Sequence, residues 1–176
     1  VSFEEPGLFG PTGDLQPFAP DQGRVLMEQY LADRAGRRLG RSRRERLSCL
    51  LERRWGWLQA CVSVPTLVHG DFNPKNVLVG EDRVWILDWE FALACDPLID
   101  LGNFFRFEND YSPAQRQAFL YGYARPLPAG WREAARLHDL VSMLNMLNSP
   151  LELPETFATA PGGDRGHVEN SGLILF

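Results

Sequence analysis

The sequence predicts an α+β protein, mainly helical, with a small β-hairpin set on the helical body. Three observations lead there. Apolar residues recur at spacings of three and four before residue 61 and again after residue 98. Between these stretches lie three short β-like runs, Thr66-Leu67-Val68, Asn76-Val77-Leu78-Val79 and Arg83-Val84-Trp85-Ile86-Leu87. Strands this few are expected to lie on helices rather than form a sheet of their own.

Residues 1–20, dotted with Pro6, Gly7, Gly10, Pro11, Gly13, Pro17 and Pro20, are expected to be an irregular lead-in or linker. A helix capped by Asp21 follows, with Val25, Leu26, Met27, Tyr30 and Leu31 as its apolar face and an end near Gly36. The arginines Arg37, Arg38, Arg41, Arg43, Arg44 and Arg46 are read as a solvated segment linking helices. A nucleic-acid surface would interleave aromatics with them. The next helix, about Ser42 to Cys61, carries the stripe Leu47, Leu50, Leu51, Trp55 and Leu58. Gly80-Glu81-Asp82 is a turn signal that pairs the second and third β runs as a hairpin. Helices are expected at Leu98–Phe107, from the Ser112-Pro113 cap to about Ala124, and over Trp131–Asn148. The Pro- and Gly-rich residues 154–176 are expected to be an irregular tail.

The chain of 176 residues, 44% hydrophobic and 23% charged, is one domain's worth of ordinary globular sequence. Cys49, Cys61 and Cys95 are odd in number and unrelated in spacing, which argues against a disulfide framework and a zinc site and for a reducing compartment. No apolar run is long enough to cross a membrane, and Val1–Gly10 lacks the features of a signal peptide. The expectation is a cytoplasmic protein with no membrane partner. A start at Val1 rather than methionine is expected of a segment of something longer. The net charge of −5 is uneven: residues 1–60 balance at +2 and residues 61–176 at −7. An acidic half disfavours nucleic acid and favours cationic substrates and divalent metals, or simply keeps a surface soluble.

The chemistry concentrates in Leu67-Val68-His69-Gly70-Asp71-Phe72-Asn73-Pro74-Lys75-Asn76 and Ile86-Leu87-Asp88-Trp89-Glu90. Asp71 lies in a loop leaving a β run, and five residues later Asn76 opens the hairpin. The hairpin runs out and back, so Asn76 and Asp88 fall beside each other at its open end, near Asp71. An amide oxygen and a carboxylate converging there suit Mg²⁺, whose remaining positions are left for water and phosphate. A carboxylate not used on the metal is free to accept a proton from an attacking hydroxyl.

The pattern H-G-D-x-x-x-x-N, then a hydrophobic hairpin with an I-x-D aspartate, then Asp96-Pro97-Leu98-Ile99-Asp100-Leu101-Gly102, resembles the signature of small-molecule kinases of the aminoglycoside phosphotransferase and choline kinase kind. The resemblance covers roughly Leu67 to Asn103. It implies the C-terminal lobe of the protein kinase-like fold over residues 21–153, with its hairpin carrying the catalytic and metal loops. It implies Asp71 as catalytic base or hydroxyl-orienting carboxylate, and Asn76 and Asp88 holding Mg²⁺ against the phosphates of ATP or another nucleoside triphosphate. His69 would brace the loop, Asp100 would support it, and Glu90 would assist the metal, face the substrate or simply hydrogen-bond. Asp96 reads as a helix cap. The implied acceptor is a small-molecule hydroxyl, in an aminoglycoside, an amino sugar, a choline-like amine or a related alcohol. Its pocket would lie among Phe104-Phe105, Tyr121–Tyr123 and Trp131, residues equally suited to the core.

The family's β-rich N-terminal lobe, with its lysine and phosphate-covering loop, is absent from these residues, since Lys75 is the sole lysine and Gly162-Gly163 follows no strand. Two readings stand. Either the chain is the catalytic lobe of a kinase whose nucleotide-binding lobe comes from an upstream segment or a separate chain, or it is a free-standing kinase-like lobe that binds a ligand or partner without catalysis.

Overall fold

The computed structural model describes residues 1–19, 21–61 and 63–151, so the expected tail at 154–176 lies outside the described residues. Among the described residues six α-helices form the body: α1 (Gln22–Ala32), α2 (Arg34–Leu39), α3 (Arg41–Ala60), α4 (Leu98–Phe105), α5 (Pro113–Tyr123) and α6 (Trp131–Asn148). Six strands of three residues each lie beside it: β1 (Gly7–Phe9), β2 (Leu15–Pro17), β3 (Thr66–Val68), β4 (Val77–Val79), β5 (Val84–Ile86) and β6 (Leu93–Cys95).

The helical faces pack as their spacing predicts, except that Val25 of α1 is exposed. Leu47, Leu51 and Leu58 of α3, and Ala134, Leu137, Leu140, Leu144 and Leu147 of α6, enter one core with Met27 and Leu31 of α1. Trp55, Trp57 and Trp131 pack against its edge. The first helix stops at Ala32 rather than near Gly36, and the chain restarts at Arg34 as α2. Asp21 precedes α1 but does not cap it with its side chain; its carboxylate accepts the indole N–H of Trp55 at 2.8 Å instead. The arginine segment is also more engaged than a solvated linker. Arg38 donates to the carbonyls of Leu147, Ser149 and Leu151, placing a cation at the C-terminal end of α6 where the helix dipole favours it. Ser112 and Gln115 form a reciprocal capping box at the start of α5, with Pro113 in the first turn.

The β structure departs from expectation in more than one respect: β6 is not foreseen as a strand, and the strands are not expected to form a sheet of their own. Residues 1–20, expected to be irregular, contain β1 and β2, and the strands make an antiparallel sheet in the order β2-β1-β6-β3. β1 pairs locally with β2, and its long-range pairing with β6 joins that pair to β3 in one sheet. The hairpin β4–β5 stands apart as its own two-stranded sheet, with Val77 opposite Ile86 and Val79 opposite Val84.

Helices α4 and α6 make the most extensive helix contact, and Gly102 permits it. A Cβ there would lie 2.3 Å from the Ala135 carbonyl oxygen, a backbone clash that no rotamer relieves. Gly102→Ala is therefore expected to reduce the free energy of urea unfolding by about 1–3 kcal/mol, the ordinary cost of overpacking. An unchanged urea midpoint would contradict this close approach.

Candidate active site

The loop after β3 is held by side chains at four successive backbone N–H groups. Asp100, on the first turn of α4, accepts from His69 N at 2.8 Å and Gly70 N at 2.9 Å. Asp71 N donates to His69 Nδ1 at 3.3 Å, and Phe72 N donates to Asn103 Oδ1 at 3.3 Å. Asp100 and Asn103 are three residues apart on one helix, so they face the loop together. Burial pushes the Asp100 carboxyl above its ordinary range, and the two N–H groups from the loop pull it partly back.

Gly70 makes the turn possible. Its φ is +81°, and a Cβ would lie 2.3 Å from the Phe91 carbonyl oxygen. His69 is buried (2% exposed) and joins two parts of the site. Nε2 lies 2.7 Å from the Leu87 carbonyl, which can only accept, so Nε2 carries the proton and Nδ1 is the acceptor for Asp71 N. Its ring lies between Trp89, at a 4.8 Å centroid separation, and Phe72 at 6.0 Å.

Asn76 ends a short turn, Pro74–Asn76, in which Asn73 Oδ1 accepts the Lys75 N–H at 3.0 Å. The amide nitrogen of Asn76 donates to the Asp71 carbonyl at 2.9 Å and to Asp71 Oδ2 at 3.1 Å. The carbonyl of Asn76 accepts from Leu87 N at 2.8 Å, which continues the hairpin ladder and brings Asp88 to the next position. Asp88 is exposed, takes the left-handed conformation (φ 67°, ψ 53°), and its carboxylate accepts no hydrogen bond from the described residues. A non-glycine residue in that region stores strain, as residues at functional sites often do. Asp71, Asn76 and Asp88 thus share one end of the hairpin.

The other predicted positions are spread out. Glu90 is exposed in the turn Trp89–Phe91 and accepts no hydrogen bond from the described residues. Asp96 is buried and accepts from Leu98 N and Ser63 N, both at 2.8 Å, so it ties the start of α4 to the segment before β3. Among the aromatics considered for an acceptor pocket, Phe105 is core and Trp131 packs on it, Phe104 stacks on Phe119 and Tyr111, and Tyr121 is exposed. Sequence reading passed over Asn73, Asn103 and Asp139. A signal existed for two of them: Asn103 stands one turn after Asp100, and Asp139 interrupts the apolar face of α6 four residues after Ala135.

Mg²⁺ fits this donor set. Among the described residues, Asn76 has its amide hydrogens on Asp71 and no donor on its oxygen, and none donates to the Asp88 carboxylate; both are hard oxygen donors. Among the described residues there is no group of three or more His, Cys, Asp or Glu that would cage a metal without help. Two protein ligands leave the rest of an octahedral shell for water and phosphate, which is how Mg²⁺ is ordinarily held.

The phosphotransferase enzyme family (APH) matches residues 10–137, and the chain belongs to that family. Its backbone is similar to the crystal structure of choline kinase LicA from Streptococcus pneumoniae, with a TM-score of 0.56 at 18% identity. The match covers 83% of this chain and 53% of that one, so the chain spans about half the length of the solved structure. The fold is accordingly the choline kinase-like one, in a stretch that fits a single lobe. No curated protein sequence shows a significant match.

The grip of Asp100 on the loop is testable by one atom. In Asp100→Asn an NH₂ group would face one of the two loop N–H donors. The expected loss is about 1.5–3 kcal/mol of unfolding free energy, the range for hydrogen bonds to a charged group. Unaltered stability in chemical denaturation would show that the two bonds are not holding the loop.

Proposed function

We propose that this chain is the catalytic and metal-binding lobe of an ATP-dependent kinase acting on a hydroxyl of a small molecule. The observation that carries the reading is the bond from Asn76 Nδ2 to Asp71 Oδ2 at 3.1 Å. It fixes one Asp71 oxygen and leaves the other to take the acceptor's proton, and it turns the Asn76 oxygen over to a cation. Asn76 and Asp88 would hold Mg²⁺, which when bound neutralises charge on the nucleotide phosphates. His69 keeps the base and the metal side in register, since it bonds both Asp71 N and the carbonyl before Asp88.

A nucleotide-binding lobe, encoded upstream or carried by a separate chain, is part of the proposal. Leu78, Val79, Val84, Trp85, Ile86 and Leu87 are all exposed, on both faces of the hairpin. An isolated two-stranded hairpin is marginal in water, and an apolar surface beside a candidate site calls for a cover. The unmatched half of the choline kinase chain is consistent with a second lobe of that kind. The acidic balance of residues 61–176 favours a cationic acceptor, such as an amino sugar or choline-like alcohol, and disfavours nucleic acid. Three free cysteines suit a reducing, cytoplasmic setting; no helix among the described residues is long and apolar enough to cross a membrane. A lobe that binds without catalysis would have no use for an unpartnered carboxylate in a strained conformation at Asp88.

The test is Mg²⁺-dependent ATP turnover with a panel of hydroxyl acceptors, using the native protein with any segment that precedes these residues in its gene. Asp71→Ala is expected to lower kcat by about 10²–10⁴-fold, the usual share of a general base. Full activity in that variant would sink the assignment. Asp88→Asn, which tolerates the same backbone, is expected to weaken Mg²⁺–nucleotide binding by roughly tenfold or more through loss of the charged ligand. Undiminished affinity would remove Asp88 from the metal site.

A further inference from the structure

One peptide group in the site is held at both of its polar atoms. The carbonyl of the Asp71–Phe72 peptide accepts from Asn73 Nδ2 at 3.1 Å and Asn76 Nδ2 at 2.9 Å, and its N–H donates to Asn103 Oδ1 at 3.3 Å. Asn103 is fully buried (0% exposed) on α4. Its own amide donates to Asp139 Oδ1 at 2.7 Å, across the α4–α6 contact. Asp139 is in turn gripped by Arg106, through Nε to Oδ2 at 2.8 Å and through Nη2 to Oδ1. Both members of that ion pair are buried.

A buried ion pair is a poor device for stability alone, because apolar residues of similar volume are often as good or better. It is a good device for fixing the orientation of a third group. Here the third group is Asn103, whose amide must present oxygen to Phe72 N and hydrogen to Asp139, and cannot flip without losing both bonds. The peptide plane it holds sets the backbone torsion on the C-terminal side of Asp71, while His69 Nδ1 holds Asp71 N on the other. With both flanking peptides fixed, the direction of the Asp71 Cα–Cβ bond is fixed, and the Asn76 amide on Oδ2 holds the carboxylate at its end. The same plane carries the carbonyl that orients the amide of Asn76.

We propose that Asn103, anchored by the pair of Asp139 on α6 and Arg106 just after α4, is a positioning residue for the transfer reaction: it sets the aim of the Asp71 carboxylate and, through the shared peptide, of the Asn76 amide. This rests on the phosphotransfer reading of Asp71. Asn103 touches no reacting atom, and its effect is on geometry, where a displacement of about 1 Å can cost 10²-fold in rate.

The test compares Asn103→Leu with Leu144→Ala, a core truncation further along α6 that lowers stability without touching the chain of bonds. In Asn103→Leu the Phe72 amide is expected to lose protection from hydrogen exchange, while the amides of His69 and Gly70, held by Asp100, keep theirs. In the native protein kcat is expected to fall about 10- to 100-fold, with KM for nucleotide and acceptor within about twofold. Leu144→Ala should leave kcat unchanged at a temperature where both variants are folded. Asn103→Ser, too short to reach Phe72 N and Asp139 together, gives the same pattern where the leucine variant does not fold. Unchanged Phe72 exchange, unchanged kcat in an active background, or an equal loss of kcat in Leu144→Ala would each overturn the proposal. A wild-type protein that transfers no phosphate with its nucleotide lobe in place would sink the phosphotransfer reading, and this role with it.

Discussion

The carboxylate of Asp100 accepts the N–H groups of His69 and Gly70 at 2.8 and 2.9 Å, and the rest of the site is arranged around that pair of bonds. A loop with its backbone N–H groups turned toward protein must find acceptors for them. Asp100 and Asn103 supply those acceptors from the first two turns of one helix. Once the loop is held, His69 lies where its ring can reach Leu87, and the hairpin is tied to the loop. The position of Asp88 is thus set from α4 through an imidazole, although no bond of its own fixes its carboxylate.

The division between rigid and uncommitted groups is what makes the arrangement chemically useful. Backbone groups around Asp71 are bonded, while the Asn76 oxygen and the Asp88 carboxylate are left open. Preorganised dipoles with free hard donors are the minimal equipment for positioning phosphates and a metal, a reaction class in which the protein contributes little covalent chemistry of its own. The hairpin that presents these donors is the least covered part of the described chain, with apolar side chains exposed along β4 and β5. Its stability therefore depends on the loop at one end and on whatever covers its faces.

Much of this was legible in the sequence because the decisive signals are local. The Gly80-Glu81-Asp82 turn between short apolar runs specified the hairpin, and its register puts Asn76 opposite Leu87, one residue before Asp88. The helical stripes of α3 and α6 named their own buried residues. What the sequence concealed was set by distant partners. Three-residue strands among prolines and glycines carry no periodicity, so β1 and β2 become legible as strands only through their pairing with each other and of β1 with β6. Asp21 has the composition of a cap, yet Trp55, 34 residues on, takes its carboxylate. Asn103 and Asp139 look like ordinary polar helix residues until α4 and α6 are brought together at Gly102.

The central claim is that a divalent cation binds at the open end of the hairpin, beside Asp71. The most direct measurement is paramagnetic broadening of the chain's amide resonances by Mn²⁺ added at low concentration as a stand-in for Mg²⁺. The account predicts that the side-chain NH₂ of Asn76 and the backbone amides of Asp88 and Trp89 broaden first, while those of α1 and α3 stay sharp. Broadening centred instead on another acidic stretch, such as Glu4-Glu5 or Glu108–Asp110, with Asn76 and Asp88 unaffected, would contradict it.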